Sequence, residues 1–203
     1  RGAECGLADP GLVRAEVAAG RLVIPANLHR PCARPVGIGA KFACKVNANI
    51  GNSPLRSEAG EELAKLEAAV AAGTDTVMDL STGADIAAIR AAILQGSPIP
   101  VGTVPIYEAV ARAGEPEALT ADGLLEVIVE HAVQGVDYMT VHCGILREHL
   151  LSAEKRLMGI VSRGGAILGA WMRAHGRENP LDERCDDLLA IAAEHDVTLS
   201  LGG

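Results

Sequence analysis

Short apolar runs rich in Val, Ile, Leu and Thr alternate along this chain with Ala-rich stretches whose apolar positions recur at helical spacing. The short runs fall at residues 42–47, 76–80, 99–103, 138–142, 158–162 and 198–201 and read as buried strands. Between them, residues 57–72, 84–95, 106–113, 121–134, 165–175 and 181–194 read as helices. The punctuation agrees. Ser57 stands at an N-cap position ahead of Glu58, Glu61 and Glu62, whose charges suit a helix N-terminus. Thr120 opens the fourth helix, and Gly73 and Gly135 close the first and fourth. Ahead of this series, residues 13–19 read as a helix and residues 21–25 as a short strand or barrel plug, with a turn at Gly20-Arg21.

Strand–helix alternation from residue 42 to 201 predicts an α/β fold with a parallel sheet and helices outside it. An open doubly wound sheet and a (β/α)8 TIM-type barrel both fit. The barrel is favoured because polar residues end nearly every strand, and in barrels that end carries the site. About six strands are present, so the barrel is incomplete at its C-terminal side. Two segments are expected: residues 1–40, a helix and plug, and residues 41–203, the partial barrel.

The strand ends supply the candidate chemistry. Lys45-Val46-Asn47-Ala48-Asn49-Ile50-Gly51-Asn52-Ser53 reads as a strand leaving the core at 42–46 and presenting amides to a cleft, or else as a tight turn. Further along come Met78, Asp79, Ser81, Thr82 and Gly83, then Thr103, Pro105 and Tyr107, then His142, Cys143 and Gly144. Ser162-Arg163-Gly164-Gly165 is the best anion site: two glycines admit a ligand to the backbone, a helix N-terminus follows, and Arg163 adds a forked donor. His142 fits a satisfied core residue, a substrate contact or an acid/base group equally. Tyr107 and Met78 fit core packing as well as a pocket wall, and Asp79 fits a turn cap, an orienting group or a base. His131 reads as a helix-surface residue and His29 as a loop residue, with no His or Glu spacing that argues for a metal.

Composition narrows the classes. Apolar residues reach 49% but aromatic ones only 2%, so the core is built from Ala, Val, Ile and Leu. A net charge of -8 argues against a nucleic-acid surface or an anionic membrane as partner. No apolar run approaches the roughly 18 residues of a membrane span. Cys5, Cys32, Cys44, Cys143 and Cys185 form no C-x-x-C pair, and an odd set without a secretory signal suits a reducing cytoplasm. No Walker motif or G-x-G-x-x-G is present.

Several stretches together resemble the ThiC family of thiamine biosynthesis. They are Val46-Asn47-Ala48-Asn49-Ile50-Gly51-Asn52-Ser53, Thr76-Val77-Met78-Asp79-Leu80-Ser81-Thr82-Gly83, Gly102-Thr103-Val104-Pro105-Ile106-Tyr107, Gly135 through Gly144, Ile160-Val161-Ser162-Arg163-Gly164-Gly165 and Asp196 through Gly202. With Ile24-Pro25-Ala26-Asn27, the resemblance runs in order through residues 12–202. It implies a (β/α)8 barrel and a radical S-adenosylmethionine enzyme with a 4Fe-4S cluster. The reaction implied converts aminoimidazole ribotide into 4-amino-5-hydroxymethyl-2-methylpyrimidine phosphate, with formate and carbon monoxide released. Substrate contacts are implied at Asn49, Met78, Tyr107, His142, Ser162, Arg163 and Gly164, and no catalytic acid or base is needed, since the adenosyl radical does the difficult step.

A homodimer is implied for the full-length protein, with a zinc or iron ion among histidines beyond residue 203. Departures matter too: Gly203 stands where the family has the Asp of an Asp-Gly-Leu-Arg segment, and no cysteine here has the cluster's C-x-x-C-x4-C spacing. These residues are therefore expected to be part of a longer protein and inactive alone. Two other readings stay open: a paralogue making 5-hydroxybenzimidazole from the same ribotide, and a non-catalytic ribotide-binding or regulatory half-barrel.

Overall fold

A computed structural model describes residues 9–55 and 58–202. Cys5 and the Ser57 cap position lie outside them. Helix α1 (Pro10–Ala18) starts where Asp9 accepts from the Gly11 amide at 2.8 Å, with Pro10 in the first turn. Two short strands, β1 (Leu22–Val23) and β2 (Ile38–Gly39), pair antiparallel. The connection between them packs back on the sheet described next. Asn27 donates to Ala132 O and Val136 O at 2.8 and 2.9 Å, and Arg30 pairs with Asp137 and reaches the carbonyls of Leu94, Ser97 and Ile99. Asp137 is fully buried and also accepts from the Asn27 and Val101 amides.

The body of the chain is a five-stranded parallel sheet. In chain order it comprises β3 (Asn47–Ile50), α2 (Ala59–Ala71), β4 (Thr76–Asp79), α3 (Ile86–Gly96), β5 (Val101–Thr103), α4 (Pro105–Ala113), α5 (Ala121–Gln134), β6 (Tyr138–Val141), α6 (Arg147–Glu154), α7 (Arg163–His175), α8 (Pro180–Glu183), α9 (Cys185–His195) and β7 (Thr198–Leu201). The strands lie side by side in the order β3-β4-β5-β6-β7, without the reversal that defines a doubly wound sheet. The arrangement is consistent with a partial barrel.

Strand alternation sorts the sheet's two faces. Val77, Val101, Met139 and Val141 point outward into a core shared with Leu66, Ile89, Ile93, Leu124, Ile128, Leu168 and Met172 from the helices. Each such side chain contributes about 1.5–3 kcal/mol by leaving water. The other face carries Asn47, Asn49, Thr76, Met78, Gly102, Tyr138, Thr140, Thr198 and Ser200, almost all polar or small. Helix ends follow the expected chemistry: Thr120 caps α5 through the Gly123 amide, and Gly135 ends it at φ +98, a left-handed geometry that favours glycine.

Several expectations change. Residues 158–162 form no strand: Met158 and Val161 are 74% and 69% exposed, and β7 takes the edge of β6 instead, from Tyr138↔Thr198 to Val141↔Leu201. The sheet thus has five strands where six were expected. The first strand is not the apolar run 42–47 but the amide segment Asn47–Ile50 itself, because its polar–apolar alternation matches a sheet with one polar face. The helix expected at 181–194 breaks into α8 and α9 at Arg184. Helix α6 was not foreseen. His131 is buried inside the helix layer at 2% exposure, not on a helix surface.

Candidate functional site

The segments that follow β5 and β6 and the start of α7 bring four of the expected residues into contact. Pro105 starts α4 immediately after β5 and places Tyr107 in its first turn. Ser162 caps α7 by accepting from the Gly165 amide at 3.2 Å, and Arg163 and Gly164 occupy the first two helical positions. The Arg163 guanidinium lies 4.9 Å from the centre of the Tyr107 ring, a cation–π contact across two loops. The first intrahelical bond runs from Ala166 N to Ser162 O, so the amides of Arg163 and Gly164 precede it and face the helix's positive end.

His142 follows β6 and packs its ring between two glycines. A Cβ on Gly164 would fall 2.3 Å from the ring's Cε1, and one on Gly202 would fall 3.1 Å from its Cδ2. Gly164 must therefore lack a side chain for the imidazole to sit there, and Gly202 leaves it little room. His142 is 5% exposed, and its Nδ1 has no hydrogen-bond partner among the described residues. Burial holds its pKa below the ordinary histidine value, so the ring is neutral at pH 7. The orphaned Nδ1 is packed against Gly164, an unmet hydrogen bond at the end of β6.

Met78 and Asn49 complete the surface on the inward face. Met78 is the strand partner of both Asn49 and Gly102, and Thr140 Oγ1 lies 3.9 Å from its sulfur. Thr140 stands two residues before His142, on the same face. Below them, a cavity of about 670 Å³ is lined by Asn47, Thr76, Met78, Tyr138 and Ser200 on one side and the β1–β2 region on the other. Ser162 faces a second cavity of about 500 Å³ with Gly144 and His149. Neither of these two cavities contains all seven expected residues.

Other members of the expected polar ring turn away. Thr103 bonds His131 at 2.8 Å on the helix side of the sheet. Asp79 accepts from both the Ser81 amide and hydroxyl, and burial raises its pKa against those bonds. It caps a turn. Asn52 likewise accepts from the Gly83 amide and donates to Ala84 O, holding two strand-end loops together. Asn179, unnoticed in the sequence, is fully buried and donates to His142 O and Ile145 O at 2.7 and 2.9 Å, which anchors the histidine's loop. Its only sequence signal is the Asn179-Pro180 helix start.

Comparison with known proteins identifies the family. A model of the "Radical SAM ThiC family" matches residues 3–203. Proteins named phosphomethylpyrimidine synthase from two strains of Halobacterium salinarum are 54% identical over 194 residues, and one from Natronomonas pharaonis is 56% identical. These matches cover 96% of this chain and 41% of each relative, so the chain spans about two fifths of their length.

Proposed function

The chain belongs to the radical SAM ThiC family, and on that premise we propose that it forms the ribotide-binding part of a phosphomethylpyrimidine synthase. The substrate is aminoimidazole ribotide, and the reaction is the lyase-type rearrangement to 4-amino-5-hydroxymethyl-2-methylpyrimidine phosphate in thiamine biosynthesis. The observation that carries the reading is the contact set Tyr107–Arg163–Gly164–His142, built from the segments after β5 and β6 and the N-terminus of α7.

In this reading Arg163, steadied by Tyr107, and the Arg163 and Gly164 amides hold the phosphate. Ser162 sets the helix end that presents them. The neutral His142 ring bonds a ribose or imidazole atom, Asn49 bonds a second polar atom, and Met78 and Tyr107 form the wall. The five parallel strands are then part of a (β/α)8 barrel, with residues 1–40 as its plug segment and 41–203 as its wall.

S-adenosylmethionine and a 4Fe-4S cluster would supply the radical. The described residues do not fit the cluster or a further zinc or iron ion. No three His, Cys, Asp or Glu side chains converge among them, and Cys32, Cys44, Cys143 and Cys185 are free and scattered. What these residues offer is binding and orientation. The reading carries with it a cytoplasmic homodimer with no nucleic-acid or membrane partner. No helix among the described residues is long and apolar enough to cross a membrane.

The test is an anaerobic incubation of the gene-encoded protein with ribotide and S-adenosylmethionine, followed by mass spectrometry. The pyrimidine phosphate supports the proposal. Recovery of 5-hydroxybenzimidazole moves the chain to the paralogue, and tight binding without turnover makes it a binding module. Arg163→Ala should weaken ribotide binding at least about tenfold by calorimetry, the loss of one charge-assisted contact. Unchanged affinity would remove Arg163 from the site.

A further inference from the structure

We propose that Thr76, Tyr138 and Asn47 form a hydrogen-bond relay that fixes the polarity of the Asn49 amide, presenting its nitrogen as a donor to the ligand. The proposal rests on the ribotide reading for the identity of that ligand, but the relay itself is visible without one. Asn47 and Asn49 stand two residues apart on the inward face of β3. Asn47 Oδ1 accepts from Thr76 Oγ1 at 3.0 Å and from the Tyr138 hydroxyl at 2.8 Å. With its oxygen engaged, Asn47 turns Nδ2 toward Asn49 Oδ1, 2.8 Å away. The Asn49 oxygen is thereby held toward Asn47, which turns its NH2 group the other way to meet a ligand.

The two ends of an amide have nearly the same shape, so only such a network decides which one faces the site. Tyr138 can take part because its strand partner Gly102 has no side chain: a Cβ there would lie 2.2 Å from the ring. Thr76 and Tyr138 are both buried. Burial pushes the Tyr138 hydroxyl up to about 12, so it keeps its proton. That one proton has two acceptors, Asn47 Oδ1 and Val77 O at 2.9 Å. Thr76 supplies the second donor to Asn47, which makes it the discriminating position. The chemistry selected at Asn49 is a hydrogen-bond acceptor, such as a ribose or phosphate oxygen, in preference to an N–H group.

The test measures aminoimidazole ribotide affinity by calorimetry in the gene-encoded protein for wild type, Thr76→Val and Thr76→Ser, each repeated with Tyr138→Phe. Val keeps the shape of Thr and loses the donor, while Ser keeps the donor and loses the methyl. The relay predicts that Ser binds like wild type and Val binds about fivefold more weakly, with Tyr138→Phe/Thr76→Val weaker still. A pure packing role reverses that order and overturns the proposal, as do equal affinities throughout. If wild type itself fails to bind ribotide, the ribotide reading falls, and neutron diffraction of the unliganded protein decides the relay. Deuterons on the Asn47 group that faces Asn49 uphold it; an oxygen in that place overturns it.

Discussion

At the scale of single residues, Gly164 is the position where space and chemistry meet most closely. The His142 ring occupies the place that a Cβ would take. Gly164→Ala should push the ring aside and weaken ribotide binding about tenfold. Overpacking costs roughly 1–3 kcal/mol, while Ala in a helix returns up to about 1 kcal/mol, so the unfolding temperature should fall by no more than a few degrees. Calorimetry and thermal denaturation on one sample check this, and a full loss of stability with intact affinity would defeat it. The helix start at Ser162-Arg163-Gly164 was legible from residue types alone, because a serine cap followed by glycines has local chemistry. The orphaned His142 nitrogen was not, since the two glycines that enclose it come from residues 164 and 202. Thr103 was placed on the wrong side for the same reason, since polarity at a strand end does not say which face a side chain takes, while Asp79 takes the turn-cap role that its residue type allowed.

At the scale of elements, the helix layer hides a polar cluster that periodicity did not reveal. His131 of α5 meets Glu108 of α4 at 2.8 Å and Arg90 of α3 at 2.7 Å, with Thr103 of β5 on its other nitrogen. Gln134 and Arg112 close the network through Arg90 and Glu108. Burial lowers the His131 pKa to about 4, against a partly offsetting bond to Glu108. The folded state therefore prefers the neutral ring. The associated stability is complete above about pH 6.5 and is lost as the pH falls toward 4, on the order of 3 kcal/mol in all. Urea midpoints from pH 7 to 4 should fall more steeply for wild type than for His131→Gln; parallel slopes would exclude His131 as the titrating group. Sequence pattern identified most helices here, yet residues 158–162 passed for a strand. An apolar run becomes a strand only where a free edge accepts it, and β7 already holds the edge of β6.

At the scale of the whole molecule, the N-terminal segment and the sheet are joined through Asp137. This carboxylate is fully buried and binds Arg30 together with the Asn27 and Val101 amides. Asp137→Ala leaves the Arg30 charge and two amides without their partner and should cost about 3–5 kcal/mol. Chemical denaturation measures the loss, and stability within about 0.5 kcal/mol of wild type would show that the clamp does not carry the junction. What the sequence by itself determined was the strand–helix rhythm, most helix boundaries and the family motifs, because capping, periodicity and glycine geometry act over a few residues. Only the tertiary structure decided which side chains share the inward face, where β3 begins and which strand borders β6. Those depend on partners far apart in the chain, such as Asn27 with Asp137 or Asn47 with Tyr138. The physical reason is the two-residue period of a strand: one step in register sends every side chain to the opposite face, and only pairing with a neighbour sets that step.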